Sequence, residues 1–396
     1  MNKENKIVPE LRFPEFVNCK AWLYENGNKV FDQISNKNHN SDLPILAITQ
    51  EYGAIPRDLI DYTVIVTEKS VESYKVVELG DFIISLRSFQ GGIEYSNYKG
   101  LCSPAYVILR KRKGVVDDFY RYYFKSKLFI QDLNRNLEGI RDGKMVSYNQ
   151  FSDILIPNPD PTEQKKIASC LSSLDELINA HAQKLDALKD HKKGLMQQLF
   201  PAEGDAKPKL RFKEFEKDGD WKFKELGKIA ENLDNKRIPI TGTLREKGNI
   251  PYYGASGIID YVKDYIFDDE LLCISEDGAN LIDRTYPIAF TINGKTWVNN
   301  HAHVLKIENK CTQVLVENYL NAINLEDYLT GAAQPKLNQA KLSIISIPLP
   351  KPSEQQKIAN FLSSIDDEIT AQTHKIEALK EHKRGLMQGL FPVINE

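Results

Sequence analysis

Two short stretches carry residue types that could do chemistry. Asp160, followed by Glu163 and Lys165, has the composition of a metal-dependent nuclease site, and His301 with His303 could hold a metal ion. The nuclease arrangement needs its aspartate and its Glu/Lys pair on separate strands, whereas all three residues lie at one predicted helix start. No Asp, Glu or Cys follows the two histidines at ligand spacing, so packing on a strand is the favoured interpretation. We therefore expect no catalytic residue and no metal site.

Cofactor motifs are absent as well. The chain has no G-x-x-x-x-G-K-[ST] phosphate-binding loop and no glycine-rich loop after a strand that suits S-adenosylmethionine. The tetrapeptide 158–161 resembles the Asn-Pro-Pro-aromatic loop of adenine methyltransferases but lacks the adjacent proline and the aromatic residue. These observations predict a chain that is not itself an enzyme and binds no cofactor.

Composition narrows the class of protein further. The chain has 396 residues, 41% of them hydrophobic, which predicts two or three soluble globular domains. Its formal charge of −3 is not that of a strongly basic nucleic-acid binder. Five scattered cysteines predict free thiols in a reducing cytoplasm. We expect no membrane span, because no apolar run reaches about eighteen residues, and no secretory signal at the polar N-terminus.

The chain contains one duplicated unit. The opening Pro9–Phe16 with Trp22 recurs as Pro208–Phe215 with Trp221 at an offset of 199 residues. Residues 159–201 recur as 350–392 at an offset of 191, with 26 identities in 43 ungapped positions. The stretches between these repeats, about 23–158 and 222–349, share little identity. Each half is therefore a variable block followed by a shared segment.

The shared segments predict long helices that pair with each other. Apolar residues recur at alternating spacings of three and four, which is the a/d seam of a coiled coil. Each helix is expected to start at a proline (161 or 352), with a capping box at Ser353–Gln356, and to form a rod of roughly 55–60 Å. Two equal units associate most simply about a two-fold axis, so we expect an antiparallel pair. The seam residues are Ile167, Leu171, Leu174, Ile178, His181, Leu185 and Leu188, and Ile358, Leu362, Ile365, Ile369, Gln372, Ile376 and Leu379.

The variable blocks have the pattern of mixed α/β domains. Strand-like runs in the first block are 62–66, 80–86 and 105–109, and those in the second are 271–275, 288–292 and 302–307. Helical pieces are predicted near 119–129 and 316–329. Basic clusters at 110–113 and 141–144 are candidate DNA contacts in the first block, although a charge run at a strand end is equally often a solvated turn. Glycine-rich turns near 252–257, 275–280 and 331–337 suit base-edge contacts or ordinary strand connections.

These motifs together resemble the specificity subunit of bacterial type I restriction–modification enzymes. The resemblance is carried by the duplicated Leu-Arg-Phe-x-x-Phe…Trp openings, the Pro-x-Pro-[ST]-Glu-Gln helix starts and the Gly-Leu-Met-Gln-x-Leu-Phe-Pro endings. It implies an α+β fold with two pseudo-two-fold-related mixed α/β target recognition domains joined by two long antiparallel coiled-coil helices. The expected segments are the first recognition domain (1–158), the first spacer helix and linker (159–207), the second recognition domain (208–349) and the second spacer helix (350–396).

The resemblance also implies a function and a set of partners. Each recognition domain would read one half of an asymmetric, bipartite site in double-stranded DNA, and the helices would set the half-site spacing. The helices would also dock two methyltransferase subunits, and two restriction/translocase subunits would complete a cytoplasmic complex. S-adenosylmethionine, ATP and Mg would be bound by those partners. The alternatives are a stand-alone DNA methyltransferase or nuclease, and a coiled-coil scaffold without DNA readout.

Candidate DNA-contacting residues follow from these motifs. In the first block they combine positive charge with a strand end or turn, and in the second they lie in the glycine-rich turns or the segment before the last strand. They are Arg87, Arg110, Arg112, Arg141 and Lys144, and Tyr253, Ser256, Asn280, Lys336 and Asn338.

Overall fold

A computed structural model describes residues 7–60, 71–135, 146–331 and 334–392. The chain divides into two compact units, the first formed by residues 1–181 with 375–396 and the second by residues 182–374. Each unit therefore combines one variable block with parts of both long helices. The predicted strand at 62–66 lies outside the described residues. The four-segment division predicted from the sequence cuts the chain differently and stays a prediction.

The first unit contains short strands, short helices and the beginning of the first long helix. Its strands are β1 (Leu23–Asn26), β2 (Phe31–Ile34), β3 (Leu46–Thr49), β4 (Gly53–Pro56), β5 (Lys75–Val77), β6 (Phe82–Ile84), β7 (Glu94–Tyr95), β8 (Gly100–Cys102), β9 (Val107–Lys111) and β10 (Leu155–Asn158). Its helices are α1 (Gly27–Val30), α2 (Ser88–Gly91), α3 (Asp117–Tyr123), α4 (Lys127–Arg135), α5 (Tyr148–Asp153) and the first part of α6 (Pro161–Leu199).

The second unit has the same kind of content. Its strands are β11 (Lys222–Glu225), β12 (Glu231–Asn232), β13 (Lys247–Gly254), β14 (Gly257–Val262), β15 (Phe267–Asp268), β16 (Leu271–Ser275), β17 (Ala289–Ile292), β18 (Lys295–Val298), β19 (Ala302–Lys306) and β20 (Ser346–Leu349). Its helices are α7 (Asn280–Asp283), α8 (Lys310–Ala322), α9 (Gln339–Ser343) and the first part of α10 (Pro352–Leu390), which ends in the first unit.

The central sheets of the two blocks share one strand order. The first sheet runs β2-β9-β6-β7 and the second runs β12-β19-β16-β17, with every neighbouring pair antiparallel. The second block adds a four-stranded sheet, β14-β13-β18-β15, whereas the first adds the hairpin β3–β4 and the pair β5–β8. Blocks with little sequence identity therefore have the same sheet at their centre.

Each block is inserted into a constant frame. Its first and last strands pair antiparallel, β1 with β10 and β11 with β20, so the chain enters and leaves the block side by side. The registers correspond, because Leu23 lies opposite Asn158 and Lys222 lies opposite Leu349, at the repeat offsets of 199 and 191. We call this strand pair, together with the opening motif and the helix start, the frame.

A buried ion pair closes each frame. The Arg12 guanidinium donates through Nε and Nη2 to the two carboxylate oxygens of Glu163, each at 2.7 Å, and Arg211 binds Glu354 with the same two distances. Each carboxylate side chain is at most 2% exposed. These pairs explain why the Arg of the opening motif and the Glu of the helix start recur together in the sequence.

The next residue of each helix start attaches the block. The side-chain amide of Gln164 accepts a hydrogen bond from the Val116 N–H at 2.9 Å and donates to the Pro159 carbonyl at 2.8 Å. The equivalent Gln355 accepts from the Thr312 hydroxyl at 2.7 Å and donates to the Pro350 carbonyl at 2.9 Å. The Glu-Gln dipeptide thus joins the opening motif and the block to the same helix turn.

The helix starts differ in part from the prediction. Asp160 caps α6, because its carboxylate accepts from the Thr162 N–H at 2.9 Å and from the Thr162 hydroxyl, which lowers the pKa of Asp160. The capping box predicted at Ser353–Gln356 is wrong. Since α10 already begins at Pro352, Ser353 lies inside its first turn. Proline at the first helical position supplies the preset φ that a helix start needs.

The long helices run antiparallel within each unit. In the first unit the Lys383 ammonium contacts the Asp175 carboxylate at 2.5 Å, and in the second Lys192 contacts Asp366 at 2.6 Å. The two pairs are equivalents at the repeat offset of 191. All fourteen predicted seam residues are buried or half-buried. The predicted α+β class, with mixed blocks and long antiparallel helices, is confirmed.

The beginning of each helix also belongs to the core of its block. Ile167 and Leu171 pack in one cluster with Trp22 and Phe119 of the first block. Ile358 and Leu362 share a cluster with Trp221 and Leu315 in the second. Ala168 and Ala359, one residue after the first seam position of each helix, are also buried, so the apolar stripe widens where the helix meets the block.

Candidate DNA interface

The strand direction of the first sheet decides which candidate residues lie together. Because β6 and β9 are antiparallel, Ile84 at the end of β6 lies opposite Val107 at the start of β9. The chain therefore leaves β6 at one end of the sheet and leaves β9 at the other. Arg87, three residues after β6, belongs to the first end, which we call the loop end of the sheet.

The loop end of the first block presents an exposed polar and aromatic surface. Arg87 precedes α2 and is exposed, and among the described residues its guanidinium has no carboxylate partner. The β3–β4 turn lies against this loop, since the Gln50 side chain occupies the space beside Gly91. Tyr52 and Leu86 are each 54% exposed. We define the first loop surface as Gln50, Tyr52, Leu86 and Arg87.

A buried ion pair supports the first loop surface from below. The Lys125 ammonium lies 2.6 Å from the Glu94 carboxylate and donates to the Gly91 carbonyl at 3.0 Å. Glu94 is only 2% exposed. Burial raises the pKa of Glu94, and the Lys125 charge opposes that rise. Lys125 therefore connects the edge strand β7 to the helix that follows Arg87.

Two predicted contacts of the first block lie elsewhere. Arg110 and Arg112 are at the end of the sheet opposite Arg87, because β9 runs antiparallel to β6. Arg110 forms a bidentate pair with Asp81, with both N···O distances 2.7 Å, and Arg112 binds Asp32 at 2.6 Å. The structure thus separates these two residues from the first loop surface and gives them carboxylate partners. Arg141 and Lys144 lie outside the described residues.

The second block brings several loops together at its equivalent end. The loop after β16 holds Asn280 and occupies the same place in the strand order as the loop that holds Arg87. The Ser275 hydroxyl donates to the Ala255 carbonyl at 2.5 Å, which attaches the β13–β14 turn. The Glu276 N–H donates to the His301 carbonyl at 2.9 Å. Turns that are distant in sequence therefore form one surface.

The segment before α9 joins the same surface. The Gly278 N–H donates to the Pro335 carbonyl at 3.1 Å, and the Leu337 N–H donates to the Glu276 carbonyl at 2.8 Å. The Lys336 ammonium lies 3.1 Å from a Glu276 carboxylate oxygen, and its side chain is 50% exposed. We define the second loop surface by its exposed members, Ser256, Tyr286, His301 and Lys336.

Three predicted contacts of the second block have partners within the protein. The Asn280 amide closes its own loop by binding both the N–H and the carbonyl of Tyr286, at 2.9 and 3.0 Å. Asn338 caps α9 by accepting from the Lys341 N–H at 2.9 Å. The Tyr253 ring stacks on Phe290 at 5.9 Å and is half-buried. These amide and ring groups therefore have partners within the protein, and as DNA contacts they stay predictions.

A buried ionic network lies directly beneath the second loop surface. Arg237 binds Glu276 at 2.7 Å and approaches Asp234 to 3.4 Å, and its Nη1 also donates to the Ala302 carbonyl at 2.8 Å. Burial opposes ionisation of Asp234, but hydrogen bonds from His303, the Val304 N–H and Asn232 lower its pKa overall. The pKa of Glu276 is also lowered, because the Arg237 and Lys336 contacts outweigh its burial. Both carboxylates are therefore ionised.

This network includes three side chains of the right types for a metal ion. Ligand atoms of Asp234, Glu276 and His303 lie within 4.8 Å of one another. The His303 Nδ1 is 2.6 Å from Asp234, and its Nε2 is 2.7 Å from the Leu337 carbonyl. Since both ring nitrogens are used in hydrogen bonds, the ring offers no lone pair, and the arrangement is that of an ion-pair network.

The nuclease-like stretch is accounted for by the frame. Asp160 caps α6, Glu163 binds Arg12, and Lys165 is exposed. The buried thiols of Cys102 and Cys273 are poor nucleophiles, because burial raises the pKa of Cys102 to about 12 and raises that of Cys273 as well. None of the helices in the described ranges combines the length and apolar character needed to cross a bilayer.

Sequence reasoning missed several members of the two surfaces and of the ionic network beneath the second. Gln50 and Tyr52 carry no local motif, and only the pairing of β3 with β4 presents their turn beside the Arg87 loop. Arg237 follows Lys236 in a short basic pair that gives a weak signal, but its carboxylate partner Glu276 is 39 residues away. His301 was noticed only as a metal candidate, whereas its ring binds Asp277 at 2.9 Å on the surface.

Comparison with known proteins identifies the family. The family model for the type I restriction modification DNA specificity domain matches the chain twice, over residues 19–190 and 218–381. The chain belongs to this family. It is a specificity subunit of the type I restriction–modification class, with two DNA specificity domains, and the resemblance read from the sequence is confirmed.

Individual relatives agree with this assignment. The specificity subunit is 26% identical over 349 residues to the type I restriction enzyme MjaVIII specificity subunit of Methanocaldococcus jannaschii, which covers 80% of this chain and 79% of that protein. It is 38% identical over 143 residues to an inferred type I restriction enzyme specificity subunit of Haemophilus influenzae, covering 36% of this chain. That match spans 37% of the Haemophilus protein's length.

A solved structure shows the same fold. The S subunit of a type I restriction-modification system from M. genitalium superposes with a TM-score of 0.57 at 14% identity. The superposition covers 98% of the specificity subunit and 99% of the M. genitalium chain. At this low identity the likeness concerns the fold.

Proposed function

We propose that this chain is the non-catalytic DNA-reading subunit of a cytoplasmic type I complex, and that each block reads one half of an asymmetric bipartite site. One observation carries the proposal. Blocks with the same central sheet order present different side chains on the same connection, the loop after β6 in one and after β16 in the other. A constant sheet with variable loops is the arrangement by which a scaffold supports different recognition surfaces.

The proposed contacts are the exposed members of the two loop surfaces. Arg87 and Lys336 can donate to base-edge acceptors or phosphates, and Gln50, Ser256 and His301 can bind base edges. Tyr52 and Tyr286 offer exposed rings for apolar contact with the groove. Arg141 and Lys144, outside the described residues, stay predicted contacts of the first half-site.

The partners and cofactors follow from the same proposal. Two methyltransferase subunits would dock on the paired helices, whose register would set the distance between half-sites, and two restriction/translocase subunits would complete the complex. Those partners would bind S-adenosylmethionine, ATP and Mg. A formal charge of −3 suits a subunit that reads bases while its partners supply most phosphate contacts.

A block graft tests the proposal. The segment between β1 and β10 is replaced by the corresponding segment of another specificity subunit, and methylated sites are mapped by sequencing in cells that also carry the methyltransferase partner. We expect one half-site to change and the other to persist. An unchanged target would favour a scaffold without DNA readout, and methylation by the purified chain alone would favour a stand-alone enzyme.

A matched pair of arginine variants tests the first loop surface. Arg87→Ala should weaken discrimination at one half-site by about tenfold, which is the scale of one good base contact. Arg112→Ala is the control, because it removes an equal charge at the opposite end of the same sheet. Equal effects of the two substitutions on matched and random duplexes would reject the assignment of Arg87 to base reading.

A further inference from the structure

We infer that His303 is a positioning residue that sets the specificity of the second block, by holding the segment 334–337 in place through a ring that donates from both nitrogens. This inference rests on the proposed function, because it concerns how the second loop surface reads its half-site. It adds a buried residue that touches no DNA to those that determine the bases read.

The two contacts of the ring fix its protonation state. The Leu337 carbonyl can only accept a hydrogen bond, so Nε2 must donate to it across 2.7 Å. The Asp234 carboxylate is ionised and accepts, so Nδ1 must donate as well, across 2.6 Å. Both bonds together require a hydrogen on each nitrogen, and hence a cationic ring. His303 is 1% exposed, so water cannot replace either partner.

The charges around the ring suit a cation. Asp234 contacts it directly and Glu276 lies 3.8 Å from Nδ1. Arg237 approaches the same oxygens as the ring, Asp234 Oδ2 at 3.4 Å and Glu276 Oε2 at 2.7 Å, while Lys336 binds the other Glu276 oxygen, Oε1, at 3.1 Å. Two carboxylates with three cations form a closed network whose members face one another.

The position of His303 gives it influence over the surface. It lies on β19, in the central sheet, while Leu337 follows the exposed Lys336 directly. The other links of the 334–337 segment run to neighbouring loops, at Glu276, Gly278 and Thr330. Among the described contacts, the bond from Nε2 to the Leu337 carbonyl is therefore the side-chain hydrogen bond from the sheet to this segment. The Leu337 side chain also packs in the core cluster with Leu272 and Leu305 of the sheet, so loss of the hydrogen bond would free the backbone beside Lys336 while the leucine side chain stays packed.

Another histidine of the chain provides a contrast. His39 in the first block donates from Nε2 to the Tyr74 carbonyl at 3.0 Å, but its Nδ1 accepts from the Ser41 N–H at 3.1 Å. A neutral ring satisfies both of these contacts. His39→Gln is therefore the matched control for His303→Gln, since only the latter removes a doubly donating ring.

The test measures methylation by the full chain in complex with its methyltransferase partner. Rates on the matched duplex are compared with rates on duplexes that carry single substitutions in either half-site. The ratio of the two rates cancels any common effect of a substitution on the methyltransferase. We expect His303→Gln to reduce discrimination at the second half-site by about tenfold while the first half-site is unchanged. His39→Gln should leave the second half-site unchanged.

A second variant separates the hydrogen bond from packing. Asp234→Asn keeps the size of the side chain but removes the anion that the ring donates to across 2.6 Å. It should therefore lower discrimination at the second half-site, whereas discrimination at the first half-site stays constant.

The outcomes distinguish this inference from the proposed function. If the wild-type complex methylates without sequence preference, the proposed function itself fails. If it has a sequence preference that His303→Gln leaves unchanged at the second half-site, only the positioning role is overturned. Should His303→Gln not assemble with its partner, Asp234→Asn decides by the same criterion.

Discussion

At the scale of single residues, the recurrent motifs of this chain are mostly structural. The Arg of the opening motif and the Glu of the helix start form an ion pair, and the neighbouring Gln accepts a hydrogen bond from the block. Such residues look catalytic in a sequence because they combine charge with a fixed spacing. Their burial and their mutual hydrogen bonds show what they do. They lock the frame to which each block is attached.

The Arg12–Glu163 pair gives a stability prediction. Arg12→Ala should destabilise the first unit by about 3–5 kcal/mol, because it leaves a carboxylate that is 2% exposed without a partner. Denaturant unfolding measures the loss, and hydrogen exchange should show that residues 12–22 lose protection. Arg135→Ala, at an exposed i,i+3 pair, should change stability by less than about 0.5 kcal/mol. Equal losses for both variants would contradict the buried-pair argument.

Lys125 gives a prediction with a pH dependence. Lys125→Met should destabilise the first unit by about 2 kcal/mol at neutral pH, since Glu94 keeps its charge while losing its cation. Burial already raises the pKa of Glu94, and removing Lys125 raises it further. A raised carboxyl pKa means that stability falls as pH rises from the unfolded value through the folded one. The deficit should therefore shrink at about pH 4.

The comparison for Lys125 is the double variant. Lys125→Met with Glu94→Gln should recover most of the lost stability at neutral pH, because no buried charge is left unpaired. Unfolding curves at several pH values check both statements. A deficit in Lys125→Met that is independent of pH would show that lost packing, rather than the Glu94 charge, is responsible.

At the scale of elements, two equivalent ion pairs between the long helices fix the register in which the helices pair. Lys192–Asp366 and Lys383–Asp175 are the same interaction seen from each copy of the repeat. Both ion pairs flank the apolar seam and are half-exposed. Charged pairs beside a seam select the register and orientation of a coiled coil more than they stabilise it.

A charge reversal tests this role. Lys192→Asp should destabilise the second unit by about 1 kcal/mol, because it sets two carboxylates side by side. The double variant Lys192→Asp with Asp366→Lys should restore most of that loss. Thermal unfolding at low and high salt is the measurement, and the loss should be smaller at high salt. Failure of the double variant to recover would assign the effect to packing.

The elements also show what sequence patterns reach and what they miss. Periodicity over about 39 residues makes the helices unmistakable, and the strand at 271–275 is found to the residue. The strand order of the two central sheets cannot be predicted from the sequence, because their strands of two to five residues carry no signal that identifies their neighbours. Arg110 is an example. It pairs with Asp81, which is 29 residues away in sequence, and this pair lies at the end of the sheet opposite Arg87.

The candidate site was predicted in part for the same reason. Glycine-rich turns and exposed charges indicate the second loop surface, and Ser256 and Lys336 belong to it. The roles of Asn280 and Asn338 depend on backbone groups that only the folded loop brings close. His303 shows the limit most clearly, because its partners lie 69 and 34 residues away in sequence.

At the scale of the whole molecule, charge predicts how binding is shared. With a formal charge of −3, the chain alone should bind duplex DNA weakly and with a shallow dependence on salt. With the methyltransferase partner, the slope of log affinity against log salt should become steeper. Titrations at several salt concentrations measure both slopes. Equal slopes would mean that this chain itself supplies the phosphate contacts.

The pairing of β1 with β10, and of β11 with β20, has a consequence for inheritance. Because the two ends of each insert are neighbours in a ribbon of constant register, a genetic crossover in the flanking codons can replace the insert without disturbing the joints. The buried ion pair between the Arg of the opening motif and the Glu of the helix start is unchanged by such a crossover, because both residues lie outside the insert. Under the proposed function, a lineage can thereby acquire a new DNA target in one recombination event, while the proteins that would assemble with the subunit stay the same.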